Sequence, residues 1–287
     1  MQNKSTMKEF AVVTVIGRDK TGVIARITNF LFEEKANIEA LEEQVTRGQF
    51  SMTLQASWTG GLKNKTTLAA GLDRLAGDLG MEIKVRWTDP RRRQRMAVMV
   101  TGEAHGALAL LQAVQSGRIK ADPAVMLSNR RDLHLLARRF NIPFTFIPWH
   151  DRALAEKRAL RLLEEFEIDF LVLARFMKIL SPNLVWRYKN KIINIHPSLL
   201  PSFPGPQAYR QAYEYGVKII GVTAHFVSMH LDEGPIIAQA SAAIPASATL
   251  KQIVAAGQKM ESAVLVKAVR LYLTKRLDVY WGVVKEV

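Results

Sequence analysis

The stretch KIINIHPSLLPSFPG, residues 191–205, begins as an apolar strand and ends as a proline-rich loop. Asn194 and His196 are two positions apart where the strand ends, so the period of two along a strand places both side chains on one face. Pro197 ends the strand because it has no amide hydrogen to donate to the ladder. A single amide or imidazole at a strand end more often ties down a loop than takes part in catalysis, so these two residues alone leave both roles open.

A carboxylate joins this pair further along the chain. Asp232 lies in HLDEGP, residues 230–235, after a predicted strand over residues 219–227. Asp-Glu-Gly also suits a turn, so Asp232 taken alone is equally well a turn residue. Together, Asn194, His196 and Asp232 give an amide, an imidazole and a carboxylate, all predicted at the carboxyl ends of strands in one sheet. Such a trio can hold an oxyanion and activate a water molecule.

A metal site is the rival interpretation of the polar residues in this region. His225, His230 and Asp232 could serve as ligands, but their spacing is not that of a zinc finger and the chain contains no cysteine. His225 lies inside the apolar strand over residues 219–227, where a hydrogen-bonded core histidine is the more common occupant. The sequence therefore favours a site without a metal, with His225 in the core.

The surrounding sequence, residues 95–287, alternates between short apolar strands and helical patterns. Strands are predicted over residues 95–101, 121–128, 142–147, 170–174, 192–195 and 219–227. Helices are predicted around residues 108–114, over residues 132–140, 151–166 and 183–188, and over residues 248–277 as more than one element. Strands buried on both faces and separated by helices predict an α/β domain with a doubly wound, mostly parallel sheet. Ligands bind such sheets beyond the carboxyl ends of the strands.

The sequence before residue 95 has a different order of elements. It predicts a strand over residues 9–16, a helix over 23–35, strands over 38–46 and 48–57, a helix over 62–79 and a strand over 81–87. The two central strands pair as a hairpin with Arg47 and Gly48 near its turn. This βαββαβ order predicts an antiparallel sheet with its helices on one face. Residues 88–94, with Pro90 and a basic run that begins at Arg91, are predicted to form a linker.

Composition narrows the class of protein. The chain has 287 residues, 48% of them hydrophobic, and no cysteine, which excludes disulfides and a thiolate nucleophile. We find no apolar run of about 20 residues that could span a bilayer and no signal peptide, so we expect a cytoplasmic protein. The net charge is +14, but the basic run RRRQR, residues 91–95, lacks interleaved aromatic residues. An anionic small molecule or plain solubility explains this charge better than nucleic acid.

Four segments resemble the fold of 10-formyltetrahydrofolate-dependent formyltransferases in order and spacing. They are FMKILSP (176–182), NIHPSLLP (194–201), TAHFV (223–227) and LDEGPII (231–237). In the first part, DKTG (19–22) before a helix and Asn37-Ile38 at the next strand resemble an ACT regulatory domain. An ACT domain followed by a formyltransferase-like domain is the arrangement of the formyltetrahydrofolate deformylase family. The resemblance implies an ACT domain over residues 1–87, a linker over 88–94 and a catalytic domain over 95–287.

The resemblance also implies roles for particular residues. Asn194, His196 and Asp232 match the catalytic trio of the family. The pterin-binding pocket is matched by Met177, Lys178, Ile179 and Leu180 on one side and by Met229 on the other. His105 is a candidate for a fourth site residue, although a surface histidine at a helix start is an equally good interpretation. In the ACT domain, the positions that bind an amino-acid effector or pair with a sister domain are matched by Asp19, Gly22, Asn37 and Ile38.

The implied function is hydrolysis of 10-formyltetrahydrofolate to tetrahydrofolate and formate, with the folate as substrate and no separate cofactor. Water activated through Asp232 attacks the formyl carbon, while Asn194 and a protonated His196 hold the oxyanion. This reaction balances one-carbon pools and supplies formate for purine synthesis. The glutamate tail of the folate is a natural partner for the basic charge. Because ACT domains commonly pair edge to edge, a homodimer or homotetramer is expected.

Two alternatives stay open. One is a transferase that passes the formyl group to an amine, and the other is a catalytically idle sensor of folate or an amino acid. The loop over residues 101–108 contains the acidic Glu103 and no serine, so it is poorly suited to a phosphate-bearing acceptor. Against the deformylase, Pro197 follows the catalytic histidine as in the transferases. Gly102 and Gly106 stand where deformylases often have lysine and cysteine, and Gln258-Lys259 where they often have arginine and aspartate.

Overall fold

Two units make up the chain, Met1–Arg92 and Arg93–Val287, and each has its own core. The computed structural model describes residues 8–46, 48–62, 64–89, 92–245, 247–274, 276–280 and 282–286. Arg47 in the predicted hairpin turn, and Pro90 and Arg91 in the predicted linker, lie outside the described residues. None of the helices within the described ranges is both long enough and apolar enough to cross a bilayer.

The first unit has the predicted βαββαβ order. Its elements are β1 (Lys8–Arg18), α1 (Val23–Glu33), β2 (Asn37–Thr46), β3 (Gln49–Thr59), α2 (Lys65–Leu79) and β4 (Glu82–Thr88). The antiparallel sheet has the order β2-β3-β1-β4, which leaves β2 and β4 at its edges. Alternate residues of β1, including Val13 and Val15, pack against Ile27 and Leu31 of α1. The period-two pattern that predicted these strands therefore marks their core face.

Capping residues set the ends of α2. The Asn64 side chain accepts hydrogen bonds from the backbone N–H groups of Thr66 and Thr67, which have no partner inside the helix. Gly80 follows the helix with a φ of 58°, a left-handed conformation that glycine adopts at little cost. The predicted end of this helix at residue 79 is confirmed.

The second unit is built on seven strands with helices on both sides. Its elements are β5 (Gln94–Val100), α3 (His105–Gln115), β6 (Ala121–Ser128), α4 (His134–Arg139), β7 (Phe144–Phe146), α5 (Arg152–Glu165), β8 (Phe170–Ala174), α6 (Pro182–Arg187), β9 (Ile192–His196), α7 (Ala208–Glu214), β10 (Ile219–Phe226), β11 (Ile236–Ala243), α8 (Leu250–Leu273), β12 (Leu277–Tyr280) and β13 (Val283–Glu286). The large sheet has the order β11-β10-β9-β8-β5-β6-β7. The five strands from β9 to β7 are parallel to one another, and β10 is antiparallel to both of its neighbours, β9 and β11. The prediction of a mostly parallel, doubly wound sheet is confirmed.

Strand β5 shows why helices cover both faces of this sheet. Met96, Val98 and Val100 join the core beneath α3 and α8, whereas Ala97 and Met99 join the core beneath α5 and α6. All five residues are fully buried. A strand with apolar side chains on both faces is stable only between two layers, so its sequence selects the doubly wound arrangement.

The C-terminal part corrects two predictions. Residues 248–277 were expected to form more than one helical element, but Leu250–Leu273 is one helix, followed by the hairpin of β12 and β13. Gly257 lies inside this helix, where its missing side chain makes room for the ring of Tyr209; a Cβ atom there would lie 2.2 Å from that ring. Strand β11 was not predicted, since AQASAA at residues 238–243 lacks the branched and aromatic residues typical of strands.

Candidate active site

Strand β9 carries two of the three predicted catalytic residues. Asn194 and His196 occur on β9 with the predicted spacing, and Asn194 lies beside Leu173 of the parallel strand β8. Both line a cavity of about 620 Å³ in the second unit. His196 is buried, and Pro197 after it also lines the cavity. The period of two thus brings an amide and an imidazole to one cavity at the carboxyl end of a parallel strand.

Asp232 reaches the same cavity by a different route from the one expected. Because β10 is antiparallel to β9, its carboxyl end lies beside the start of β9, where the Val227 N–H donates to the Ile192 carbonyl at 2.9 Å. Asp232 thus follows the carboxyl end of its strand as predicted, but that end lies beside the start of β9 and not beside the carboxyl end that carries Asn194 and His196. The loop over residues 227–235 folds back and places Asp232 Oδ2 3.4 Å from His196 Nδ1. Asp232 Oδ2 also accepts a hydrogen bond of 2.9 Å from the Gly205 N–H.

The backbone conformations of the DEG segment, residues 232–234, allow the loop to fold back in this way. Asp232 has a φ of 58°, a left-handed conformation in which aspartate is enriched, so it is a turn residue as well as a neighbour of His196. Gly234 lies so close to β10 that a Cβ atom there would be 1.7 Å from the carbonyl oxygen of Phe226. Only glycine fits such an approach, and the loop can close over the strand because residue 234 has no side chain.

Both ring nitrogens of His196 face protein oxygens. Nε2 donates to the carbonyl of Phe203 at 3.0 Å, and Nδ1 faces Asp232 Oδ2 at the longer distance of 3.4 Å. The Phe203 backbone has a φ of 50°, so its carbonyl is presented by a turn after the proline-rich stretch. A distance of 3.4 Å is longer than a usual N–H···O hydrogen bond, which leaves room for Nδ1 to exchange Asp232 for another acceptor.

His225 belongs to the site as well as to the core. It is buried as predicted, but its Nε2 lies 3.1 Å from Asn194 Nδ2 and 3.9 Å from Asp232 Oδ1. Its Nδ1 lies 2.9 Å from the carbonyl oxygen of Phe226 and donates to it, so Nε2 is the acceptor for an Asn194 N–H. This contact turns the amide nitrogen of Asn194 toward His225. The contact arises because His225 on β10 is paired with Asn194 on β9. The sequence does not show this register, so the role of His225 in the site could not be predicted from it.

Burial lowers the pKa of His225, and this effect outweighs the Phe226 carbonyl and the Asp232 charge, which raise it. The unfolded chain takes up a proton near the ordinary pKa of 6.5, whereas the buried ring does so only at lower pH. Because the unfolded state then binds more protons, the free energy of unfolding should fall as the pH falls below about 6.5. We expect a flatter plot of Tm against pH from 7 to 5 in His225→Gln, measured by calorimetry. Equal slopes in His225→Gln and the exposed control His134→Gln would contradict this.

The predicted pterin pocket lies beside the trio. The residues predicted to form it all line the cavity: Met177, Lys178, Ile179, Leu180 and Met229. Met177 and Ile179 are exposed although they are apolar, and Leu180 is buried. The Met177 N–H donates to Thr101 Oγ1 at 3.0 Å, a contact to the loop after β5 that sequence analysis missed. Most of the side chains in this segment are apolar, which suits a flat ring system.

His105 is the one predicted residue of the second unit that is absent from the cavity wall. Its Nε2 lies 3.1 Å from Glu261 Oε2, and its Nδ1 lies 3.5 Å from Glu103 Oε2. Glu103 lines the cavity together with Arg175, and Glu261 is fully buried on α8. Sequence analysis missed Arg175 and Glu261, since neither lies in a recognisable polar motif. His105 contacts the carboxylates of this charged cluster and does not itself face the cavity.

The four predicted effector residues lie in the first unit. Asp19 and Gly22 occupy the loop between β1 and α1, and Gly22 has a φ of 87°. Asn37 and Ile38 begin the edge strand β2. All four are exposed. As for metals, no three or more His, Cys, Asp or Glu side chains within the described ranges form a group that could hold an ion.

Comparisons with known proteins agree with this architecture. Residues 94–269 match the formyl transferase family model, and residues 9–86 match the ACT domain model. The chain is 38% identical to formyltetrahydrofolate deformylase of Escherichia coli over 94% of this chain and 95% of that protein. A crystal structure of a formyltetrahydrofolate deformylase from Pseudomonas syringae pv. tomato covers 99% of this chain and 96% of its own, with a TM-score of 0.67 and 29% identity.

A transformylase matches about two thirds of the chain. Glycinamide ribonucleotide transformylase 1 from Symbiobacterium toebii covers 68% of this chain and 94% of its own, with a TM-score of 0.65 and 32% identity. The fold and the site thus define a formyl transferase domain preceded by an ACT domain. Within that class, the deformylases match both units of the chain. The chain belongs to the formyltetrahydrofolate deformylase family.

Proposed function

We propose that this protein hydrolyses 10-formyltetrahydrofolate to tetrahydrofolate and formate. The observation that carries the proposal is the meeting of Asn194, His196 and Asp232 at one cavity walled by residues 177–180, in a chain of which a deformylase relative matches 94%. A carboxylate beside an imidazole can activate water, and an amide can stabilise an oxyanion. The products are free tetrahydrofolate and formate, which a cell uses in one-carbon and purine metabolism.

The proposed chemistry begins with the folate bound beside the loop over residues 177–180. Asp232 accepts a proton from a water molecule, whose oxygen then bonds to the formyl carbon. Asn194 donates its second amide hydrogen to the developing oxyanion while the first remains bonded to His225. His196 supports the oxyanion through Nδ1, which exchanges its long contact with Asp232 for the substrate oxygen. The carbon–nitrogen bond then breaks, and the nitrogen of tetrahydrofolate takes the proton as formate leaves.

One assay separates this function from its alternatives. Purified protein is incubated with 10-formyltetrahydrofolate, with and without amine acceptors, and formate and tetrahydrofolate are measured. Formate release without an acceptor supports the hydrolase. Loss of the formyl group only when an amine is added supports a transferase, and tight binding without turnover supports a sensor. Either of the last two results would overturn the proposal.

The two units have separate proposed roles. Residues 1–87 act as a regulatory and oligomerisation domain, residues 88–94 as a linker and residues 95–287 as the catalytic domain. An amino-acid effector binds the first unit near Asp19, Gly22, Asn37 and Ile38, which are exposed at a loop and a strand start. A thermal-shift screen with the common amino acids tests this role. No change in Tm with any of them would argue against an effector.

A homodimer or homotetramer is the proposed assembly, with pairing through the edge strand β2. Ile38, Leu41 and Val45 are exposed apolar residues of this strand, and an open edge favours pairing with another copy. We expect light scattering at micromolar concentration to show a dimer or larger species. Leu41→Glu should shift it toward monomer because β2 already carries Glu39, Glu42 and Glu43. The control Leu135→Glu, exposed in the second unit, should leave the mass unchanged; a monomeric starting protein would contradict the proposal.

A further inference from the structure

A second charged group faces the cavity that contains the proposed catalytic trio. Glu103 follows β5 and Arg175 follows β8, and these strands are parallel neighbours of each other, with β9 next to β8. Glu103, Arg175 and Asn194 therefore come from the carboxyl ends of three adjacent parallel strands. All three line the same cavity, but the proposed hydrolysis uses only Asn194.

Arg175 is held from two sides. Its Nη2 donates to Glu103 Oε1 at 2.9 Å, and its Nε lies 3.7 Å from Glu261 Oε2. The Arg175 side chain is only 16% exposed, and its backbone has a φ of 62°, an uncommon conformation for a residue with a side chain. Burial lowers the pKa of Arg175, but Glu261 and Glu103 outweigh this effect and keep the pKa above its ordinary value. The guanidinium is thus a fixed cation in the cavity wall.

The two carboxylates beside Arg175 each accept a hydrogen bond from a further side chain. Glu261 is fully buried, and its Oε1 accepts a hydrogen bond of 2.8 Å from the Tyr209 hydroxyl. Tyr209 can approach α8 because residue 257 is glycine. The Gln258 side chain donates to Glu103 Oε2 at 3.2 Å. One charge-assisted hydrogen bond to Glu103 and the charge of the nearby Glu261 carboxylate, both carboxylates having further partners, restrict the movement of the guanidinium.

The acceptor decides between a hydrolase and a transferase on this fold. Water needs little room beside the formyl carbon, whereas an amine acceptor needs room for its carbon skeleton. On the basis of the proposed hydrolysis, we propose that Arg175, clamped between Glu103 and Glu261, restricts the acceptor to water by filling the part of the cavity that an amine would occupy. Arg175 is a specificity-determining residue in this scheme.

The test measures how the formyl group divides between water and glycinamide, a small primary amine. In transfer, the amine nitrogen bonds to the formyl carbon, the bond to the folate nitrogen breaks, and that nitrogen takes the amine proton. The wild-type protein should release formate and give no formylglycinamide above background. Arg175→Ala should raise the ratio of formylglycinamide to formate at least tenfold. Arg130→Ala removes an exposed arginine that is paired with Asp132, and it should leave the ratio unchanged.

A second variant guards against misfolding. Removing Arg175 takes the guanidinium away from the buried Glu261 carboxylate and leaves it with His105 and the Tyr209 hydroxyl, which is destabilising. The double variant Arg175→Ala/Glu261→Gln removes that charge too, and it should show the same raised ratio with a higher Tm than the single variant. An unchanged ratio in the folded double variant would overturn this inference, as would loss of both products there. If the wild-type protein consumes the formyl group only when an amine is present, the proposed hydrolysis is wrong. That result comes from the wild-type protein, whereas the role of Arg175 is tested by the variants, so failure of the one can be told from failure of the other.

Discussion

Replacing Asp232 with asparagine is expected to lower kcat for formate release by about 100- to 10,000-fold, the range for loss of a positioned general base. The Asp232 side chain is only 7% exposed and lies 3.4 Å from His196 Nδ1. Asparagine has the same shape and can still accept the hydrogen bond from Gly205 N–H, but it cannot take a proton from water. Single-turnover formate release at saturating 10-formyltetrahydrofolate measures the effect without interference from product release.

The neighbouring residue supplies the control. Glu233→Gln removes an exposed carboxylate from the same loop and should change kcat by no more than about twofold, since solvent screens a charge at such a site. Both variants should keep a Tm close to that of the starting protein and bind the folate. Near-normal turnover in Asp232→Asn would show that another group activates water.

Local patterns in the sequence were sufficient to predict one strand of the site. Period two along β9 placed Asn194 and His196 on one face, and the turn signal DEG marked the loop that carries Asp232. Each signal lies within a few residues, so it does not depend on how distant strands pair. The roles of these residues are still proposals, and the geometry supports them by bringing the three side chains together.

The same local patterns could not predict how strands that are distant in the sequence pair with one another. The apolar run over residues 219–227 fits a parallel or an antiparallel strand equally well, and only the direction of β10 sets His225 opposite Asn194. That direction also sends the loop with Asp232 back across the sheet. Arg175 and Glu261 were missed for a related reason: their partners lie on other elements, so no local spacing marks them. A buried charge network is visible only after the chain has folded.

Asn194→Ala is expected to lower kcat by about 100- to 1,000-fold, because it removes a proposed donor to the oxyanion that develops during attack. The donor acts mainly in the transition state, so KM for the folate should change little. Steady-state formate release over a range of folate concentrations separates the two constants. A variant with raised KM and unchanged kcat would show that Asn194 binds the ground state and does not stabilise the oxyanion.

The contact between Asn194 and His225 can be tested by a double-mutant cycle. If His225 Nε2 orients the Asn194 amide through the 3.1 Å hydrogen bond, His225→Ala should lower kcat in the presence of Asn194 and have a much smaller effect once Asn194 is alanine. Residues in contact show such non-additivity, whereas independent residues do not. Equal effects of His225→Ala in both backgrounds would assign His225 a role in stability alone. The double-mutant cycle therefore tests whether the buried pairing of β9 and β10 orients the amide for the proposed chemistry.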